Sequence, residues 1–396
     1  MKFRLGFTAL AIATLAGISA ASAIGFRTLH VFTDKQGGFT SAALALGPNG
    51  NLYGVTEATV FSVAPKGKFQ LIHRFGNLDG VDGEWSGVVF DSAGNMFGTT
   101  QSAHGFGSGV YGTVFEIDST GQETILHQFT PAPNGSVPLQ GLTFDSLGNL
   151  YGTTSKGGLA CHCGTVFRIT TAGDFTLLHS FAPTEGALPW GGRLIIDHEG
   201  NLFGVTNQQG PNNCATGIGC GTIYKLDTSG LLTVLYAFQG GNDGSQPQGS
   251  LLADGSGNLY GTTFYGGGGS ACSFGCGTIY KLAPDGTETV LYAFQDGSDG
   301  AFPEAGLVRD SAGNFYGVAF EGGDKLCRSG GNGCGTVFEL TANGQFSVLH
   351  TFKATDGANP AGELLLSKRT LFGTTATGGG TGCGGNGCGT VFRVVL

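Results

Sequence analysis

Positive charge is scarce in this chain. Lys and Arg number 19 against 28 Asp and Glu, and the four types together make up only 12% of 396 residues. That balance leaves no electrostatic footprint for nucleic acid, and anionic membrane surfaces are equally poor partners. Long apolar runs are lacking too. The best candidate, Leu5 to Leu15, falls short of the roughly 20 residues a helix needs to span a bilayer of about 30 Å, so no membrane span is expected. No segment shows the 3.6-residue period of an amphipathic helix. Nucleophile-elbow, HExxH and phosphate-loop motifs are all missing. Tryptophan occurs only as Trp85 and Trp190.

Glycine and phenylalanine are plentiful instead, at 75 and 30 residues. So much Gly would suit a disordered chain, but the Phe residues supply more apolar area than disorder tolerates. The N-terminus reads as a secretory leader. Lys2 and Arg4 precede the short apolar run, and Ala21-Ser22-Ala23 is a small-x-small cleavage site. Residues 1–23 are expected to be removed, which takes the formal charge from −9 to −11 as Lys2 and Arg4 leave. No Cys lies beside the cut, so no lipid anchor is expected.

The remainder, residues 24–396, is a tandem repeat of about 55 residues. One signature is Asn-Leu-Tyr-Gly, as at Asn149 to Gly152 and Asn258 to Gly261. A second is Gly-Thr-Val-Phe, as at Gly112, Gly164 and Gly335. A third is Thr-Val-Leu-His-x-Phe, ending at Phe32, Phe75, Phe129, Phe181, Phe238, Phe294 and Phe352. Each occurs seven times. Four strand-like runs fall in each repeat, with turn residues between them. Runs such as Thr233 to Phe238 are apolar on both faces, so each sheet should be covered on both sides. Four-stranded sheets stacked around an axis achieve that. The first run, Arg27 to Phe32, is an outer-strand type, and the last repeat lacks one. Pairing the two predicts an all-β, seven-bladed β-propeller of four antiparallel strands per blade, closed by the N-terminal strand.

The succession G-L-x-x-D-x-x-G-N-L-Y-G-T-T, G-C-G-T-V-F-x-L, T-V-L-H-x-F resembles the GloVer tandem repeat of bacterial exported proteins, and it covers essentially the whole mature chain. The resemblance implies a β-strand repeat and export, and it implies no activity. Members often carry a C-terminal surface anchor; none is read here. The strand order is also similar to NHL-type propellers.

Antiparallel order sends the first-to-second and third-to-fourth strand turns to one end of the propeller. The second-to-third loops and the connections between blades go to the other. Turns of the first set are short. Asp-x-x-Gly-Asn recurs there at Asp91, Asp145, Asp197 and Asp310, with a near copy at Asp254. A carboxylate bonding its own turn amides explains the pattern; calcium would need more ligands at set spacing. No cofactor is expected. Loops of the second set are long and varied, which makes their face the candidate binding face.

All ten Cys lie in second-to-third loops, two per loop in the last five blades: Cys161/Cys163, Cys214/Cys220, Cys272/Cys276, Cys327/Cys334 and Cys383/Cys388. In an exported chain they read as local disulfides that rigidify Gly-rich loops. The one-residue gap at Cys161-His162-Cys163 strains a bridge. A metal site there would need further ligands.

Between blades, Asn134, Glu185, Asp243, Asp299 and Asp356 each stand four residues before a Pro. They are either turn residues or a ring of acids facing a cation or polar ligand. After the prolines come Leu139, Trp190, Gln248, Glu304 and Ala361, with Trp85 at the matching place in blade two. These should rim the channel mouth, where the two indoles would favour ring stacking. The candidate ligand set is therefore Trp85, Trp190, Gln248, Glu304, Glu185, Asp243, Asp299 and Asp356. His30, His73, His127, His179 and His350 share one outer-strand position with Tyr236 and Tyr292, and a residue repeated in every blade serves the blade. The expected function is a monomeric, non-catalytic, exported binding module for an extracellular glycan, cell-envelope ligand or protein. The alternative is a lyase or hydrolase acting on a polysaccharide or lactone, with Glu304, Arg309, Asp299 and His104 as candidates. Blades one and two lack Cys pairs, which marks an asymmetry in an otherwise regular ring.

Overall fold

The computed structural model describes residues 25–76, 86–101, 111–130, 132–159, 161–190, 192–214, 217–269, 271–327 and 331–396. The expected leader (residues 1–23), Trp85 and His104 lie outside the described residues. Among the described residues, twenty-eight strands form seven four-stranded sheets, six of them ordered from the axis outward as they run in sequence. Blade one, for instance, is Ala45–Leu46, Leu52–Val55, Thr59–Val63 and Phe69–Arg74. Blade seven takes Leu365–Ser367, Thr370–Thr375 and Thr390–Val395 from the end of the chain, and Gly25–Val31 from its beginning. The two ends pair antiparallel from Gly25↔Val395 to Val31↔Thr390. The ring closes as expected.

The signatures acquire physical roles here. The aromatic of Gly-Thr-Val-Phe lies against the Gly of Asn-Leu-Tyr-Gly in the same blade: a Cβ on Gly152 would come within 2.5 Å of the Phe167 ring. That ring also meets, edge to face, the terminal Phe of the preceding blade's outer strand. The pairs are Phe32–Phe61, Phe75–Phe115, Phe129–Phe167, Phe181–Tyr224, Phe238–Tyr280, Phe294–Phe338 and Phe352–Phe392, with centroids 4.9 to 5.3 Å apart. One such pair occupies every seam, and each contributes about 1 kcal/mol beyond the area it buries. The second and third signatures are thus two halves of one inter-blade contact.

The outer strands differ from expectation. They are only half-buried, while the second and third strands of each blade are the ones covered on both faces. The apolar run at Thr233 to Phe238 has another cause. A register shift between Ile223 and Tyr224 of its partner strand marks a bulge, and the same shift recurs in all seven blades. A bulge breaks the two-residue alternation. It lets the repeated His or Tyr stack flat on the next blade: His30 on Phe69, His127 on Phe175, Tyr292 on Phe346 and His350 on Phe26, with interplanar angles of 4 to 15°. Burial lowers the pKa of His30 and His127, which favours the neutral rings.

A second lock ties blade to blade on the loop face. In blades two to six the Gly that opens the third strand has positive φ, and a Cβ there would strike the proline of the next connection. The distances are 2.7 Å for Gly164 with Pro189, 2.7 Å for Gly221 with Pro247 and 2.6 Å for Gly277 with Pro303. The recurring Pro and the recurring Gly are therefore one close approach.

Candidate binding face at the channel mouth

The five disulfides are Cys161–Cys163, Cys214–Cys220, Cys272–Cys276, Cys327–Cys334 and Cys383–Cys388. The pair flanking His162 is bridged like the others. All close loops on the face opposite the Asp-x-x-Gly-Asn turns. Blade one has only a tight turn there, with Thr56 N donating to Thr59 O. The Asp34 carboxylate accepts from Cys383 N, joining the first inter-blade connection to the last disulfide loop. Digestion without reduction should yield each pair within a local segment lighter by two hydrogens. Free thiols detected by alkylation would contradict the pairing.

The acids before the prolines close their own loops. Glu185 Oε2 accepts from His179 Nε2 at 2.9 Å and Ala182 N at 2.8 Å. Asp243 accepts from Tyr236 OH and Gln239 N, and Asp299 from Tyr292 OH, Gln295 N and Gly297 N. Asp356 accepts from Lys353 N and faces His350 Nε2 at 3.3 Å. Gln36 does the same with His30 and Thr33 N. The backbone carbonyls of Gln36, Asn134, Glu185, Asp299 and Asp356 take the hydroxyl of the Thr opening a third strand. The structure does not gather these carboxylates around one point; each serves its own corner. Glu288 lies beside Asp243, and burial followed by the Asp243 charge pushes its carboxyl up to about 8.

The post-proline residues, by contrast, do converge. Leu139, Trp190, Gln248, Glu304 and Ala361 line one small cavity together with Ser41 and Gln140. Its volume is about 30 Å³, space for about two waters. Glu304 is the unusual member. The residue is only half-buried, but its Oε2 is shielded from solvent and has no hydrogen-bond partner. Burial first, and the charge of Glu321 second, push its carboxyl up to about 8. Glu321 itself accepts from Asn332 Nδ2 at 3.2 Å.

Below the mouth the described residues close in on the axis. Ser250 Oγ donates to Glu363 Oε2 at 2.7 Å, and Arg193 N donates to Ser250 Oγ at 3.0 Å. Arg193 Nη2 lies 3.8 Å from Glu363 Oε2. The space left among these residues and Gly87, Gly141 and Gly192 is about 40 Å³. The inner strands touch backbone to backbone. A Cβ on Gly192 would lie 2.2 Å from the Gly249 carbonyl carbon, and one on Gly249 would lie 2.0 Å from Gly306 N. Sequence reasoning missed Arg193, Ser250 and Glu363. The available signal was positional. Aligned on the Leu or Val that follows, these three stand where Ala43, Gly87, Gly141 and Gly306 stand in other blades.

On the opposite face, Asp91, Asp145, Asp197, Asp254 and Asp310 each accept from two amides of their own turn and from the Asn side chain that ends it. These bonds outweigh the effect of burial and hold Asp254 down to about 2. The turn reading of the motif therefore accounts for both carboxylate oxygens.

A ring of seven antiparallel blades with a closed axis and a disulfide-clasped loop face defines the class: an all-β propeller with its varied surface at one end. The chain belongs to the Gloeobacter/Verrucomicrobia repeat family, whose profile matches residues 85–328 and 272–396. No curated protein matches the sequence. Among solved structures, the chain is similar to the extracellular domain assigned to a hybrid two-component system of B. thetaiotaomicron. Identity is 10% and the TM-score 0.55, over 93% of this chain and 40% of that one. The extracellular domain assigned to a one-component system of the same organism gives 12%, 0.53, 93% and 42%. The chain thus spans about two fifths of either sensor domain. A gluconolactonase from Xanthomonas campestris gives 12% and 0.44, over 94% of this chain and 89% of that one. At such identities the likeness is one of fold. Among the described residues no helix is long and apolar enough to cross a membrane.

Proposed function

We propose that this protein is an exported, non-catalytic binding module, secreted or periplasmic after loss of residues 1–23, whose loop face takes a carbohydrate or cell-envelope ligand. The closed axis carries this reading. Among the described residues the space is about 30 Å³ at the mouth and about 40 Å³ below it, too little to bury a sugar ring, so the ligand of this reading lies across the face. Trp190, Gln248 and Glu304 offer such a ligand an indole, an amide and a carboxyl at one point. The fold likeness to extracellular sensor domains is in keeping with a binding role.

A second reading is a lyase or hydrolase acting on a polysaccharide or lactone at the mouth. Glu304 favours it, since a shielded, unpartnered carboxyl protonated near neutrality is a ready general acid. A glycan array combined with a hydrolase and lyase panel separates the two. Binding without turnover, weakened by Trp190→Ala, is the expected result. Turnover abolished by Glu304→Gln would establish the second reading instead.

A further inference from the structure

A roomy cleft lies away from the channel, on the face of short turns. It runs between blades six and seven, has a volume of about 670 Å³, and is walled by Arg309, Asp310, Tyr316, Glu339, Lys368 and Arg369. A neighbouring cleft of about 250 Å³ between blades five and six shares Arg309 and adds Tyr260, Phe315 and Lys281. Volumes of this order hold one or two sugar rings.

Arg309 breaks the pattern of the repeat. At its inner-strand position the other blades carry Leu46, Phe90, Phe144, Ile196, Ala253 and Leu366, all apolar. Its guanidinium is held over Phe315 at 5.2 Å and Tyr260 at 5.9 Å, while Nε donates to Gly313 O at 3.4 Å. A planar fork fixed in this way is prepared for a carboxylate or phosphate. Blade seven adds a second departure. Its turn is Lys368-Arg369, where blades two to six carry the Asp-x-x-Gly-Asn turn. Neither Arg309 nor Lys368 makes an ion pair among the described residues, whereas Arg369 is engaged, its Nε donating to a main-chain oxygen of Leu396. Three cations thus meet in one cleft of a chain whose net charge is −9.

We propose that this cleft binds an acidic saccharide, with Arg309 taking the carboxylate of a uronate residue and Lys368 adding charge at the rim. The walls select against a compact dianion such as phosphate, which Asp310 and Glu339 repel, whereas a uronate chain carries one charge per ring. Tyr316 OH already donates to Asp310 Oδ2 and Glu339 Oε1, so its oxygen and the Glu339 carboxylate are left to accept from ring hydroxyls. The aromatic and aliphatic flank of Tyr316, Leu349 and Leu366 suits the apolar face of a pyranose.

Titration calorimetry of the mature protein with trigalacturonate tests this. Binding is expected, and Arg309→Gln should weaken it by at least roughly tenfold, the range for a lost charge-assisted contact. Arg309→Lys, which keeps the charge but not the fork, should give an intermediate loss. Lys66→Ala, on an exposed turn of the same face in blade one, should change nothing. The carboxyl-reduced, neutral trisaccharide should bind at least roughly tenfold more weakly than the acid. Matching circular-dichroism melts for each variant establish that the fold is intact. The proposal fails if trigalacturonate does not bind, if Arg309→Gln binds it unchanged, or if the neutral sugar binds equally. It fails also if inorganic phosphate or an acidic peptide binds more tightly than the saccharide. A loss on Arg309→Gln assigns the binding to this cleft and not to the channel mouth, so the result is read separately from the function proposed above.

Discussion

Protein lacking residues 25–32, expressed behind the same leader, is expected to lose its cooperative melt or to melt about 10 °C lower than the full chain. The segment contributes more than one strand of hydrogen bonds. Leu29 and Phe32 are buried, and Phe26 lies flat against His350 at 3.5 Å while meeting Phe352 and Phe392. Phe32 supplies one ring of the seam between blades seven and one, opposite Phe61. Withdrawing three large apolar side chains removes roughly 6 kcal/mol of burial, and the uncovered faces of Phe61 and Phe392 add to it. That loss is comparable to the whole stability of many domains. It also opens a sheet edge at Thr390–Val395. Circular-dichroism melts of the two proteins decide the matter, and coincident curves would show that the ring does not depend on this closure.

Glu304→Gln should stabilise the protein, and do so increasingly as pH rises. In the unfolded chain a Glu carboxyl titrates near 4.5, whereas in the fold it is held up to about 8. Between those values the folded protein retains a proton that the unfolded chain has released. The wild type therefore loses stability as pH rises through the window from 4.5 to 8. Gln carries no such proton and removes that slope. At pH 8 the difference should be on the order of 3 kcal/mol, or about 4 °C in Tm for a chain of this length. At pH 4.5 the two proteins should melt almost together. Parallel Tm-against-pH profiles would mean that Glu304 is solvated or paired in solution.

Much of this architecture is legible in the repeat. Seven copies of three signatures give the number of blades, and the outer-strand run before the first blade gives the closure. The post-proline register places Leu139, Trp190, Gln248, Glu304 and Ala361 at one mouth because each repeat enters its inner strand in the same phase. What the repeat hides are contacts that depend on how blades meet. Nothing in the sequence alone couples Phe238 to Tyr280, or Pro303 to Gly277, since those partners lie in different repeats. The spacing of the acids in the connections leaves a turn role and a ligand ring both open; their bonds to outer-strand His and Tyr, which decide for the turn, appear only once the bulge has turned those side chains. Arg193 escapes because its connection is one residue longer, with five steps from Pro189 to Leu194 against four from Pro247 to Leu251. That shift slides a charged residue into a position the repeat otherwise reserves for small ones.

The glycine-lined axis also bears on how many blades the ring can hold. The perimeter of the innermost circle is the number of inner strands multiplied by the width of each. Where Gly192, Gly249 and Gly306 let neighbouring backbones touch, that width is as small as a polypeptide permits. A side chain at each of these positions would lengthen the circle and leave a gap that an eighth blade would fit better. Side-chain size at a few residues beside the axis thus bears on the count of an assembly whose repeats, taken singly, carry no instruction about where to stop.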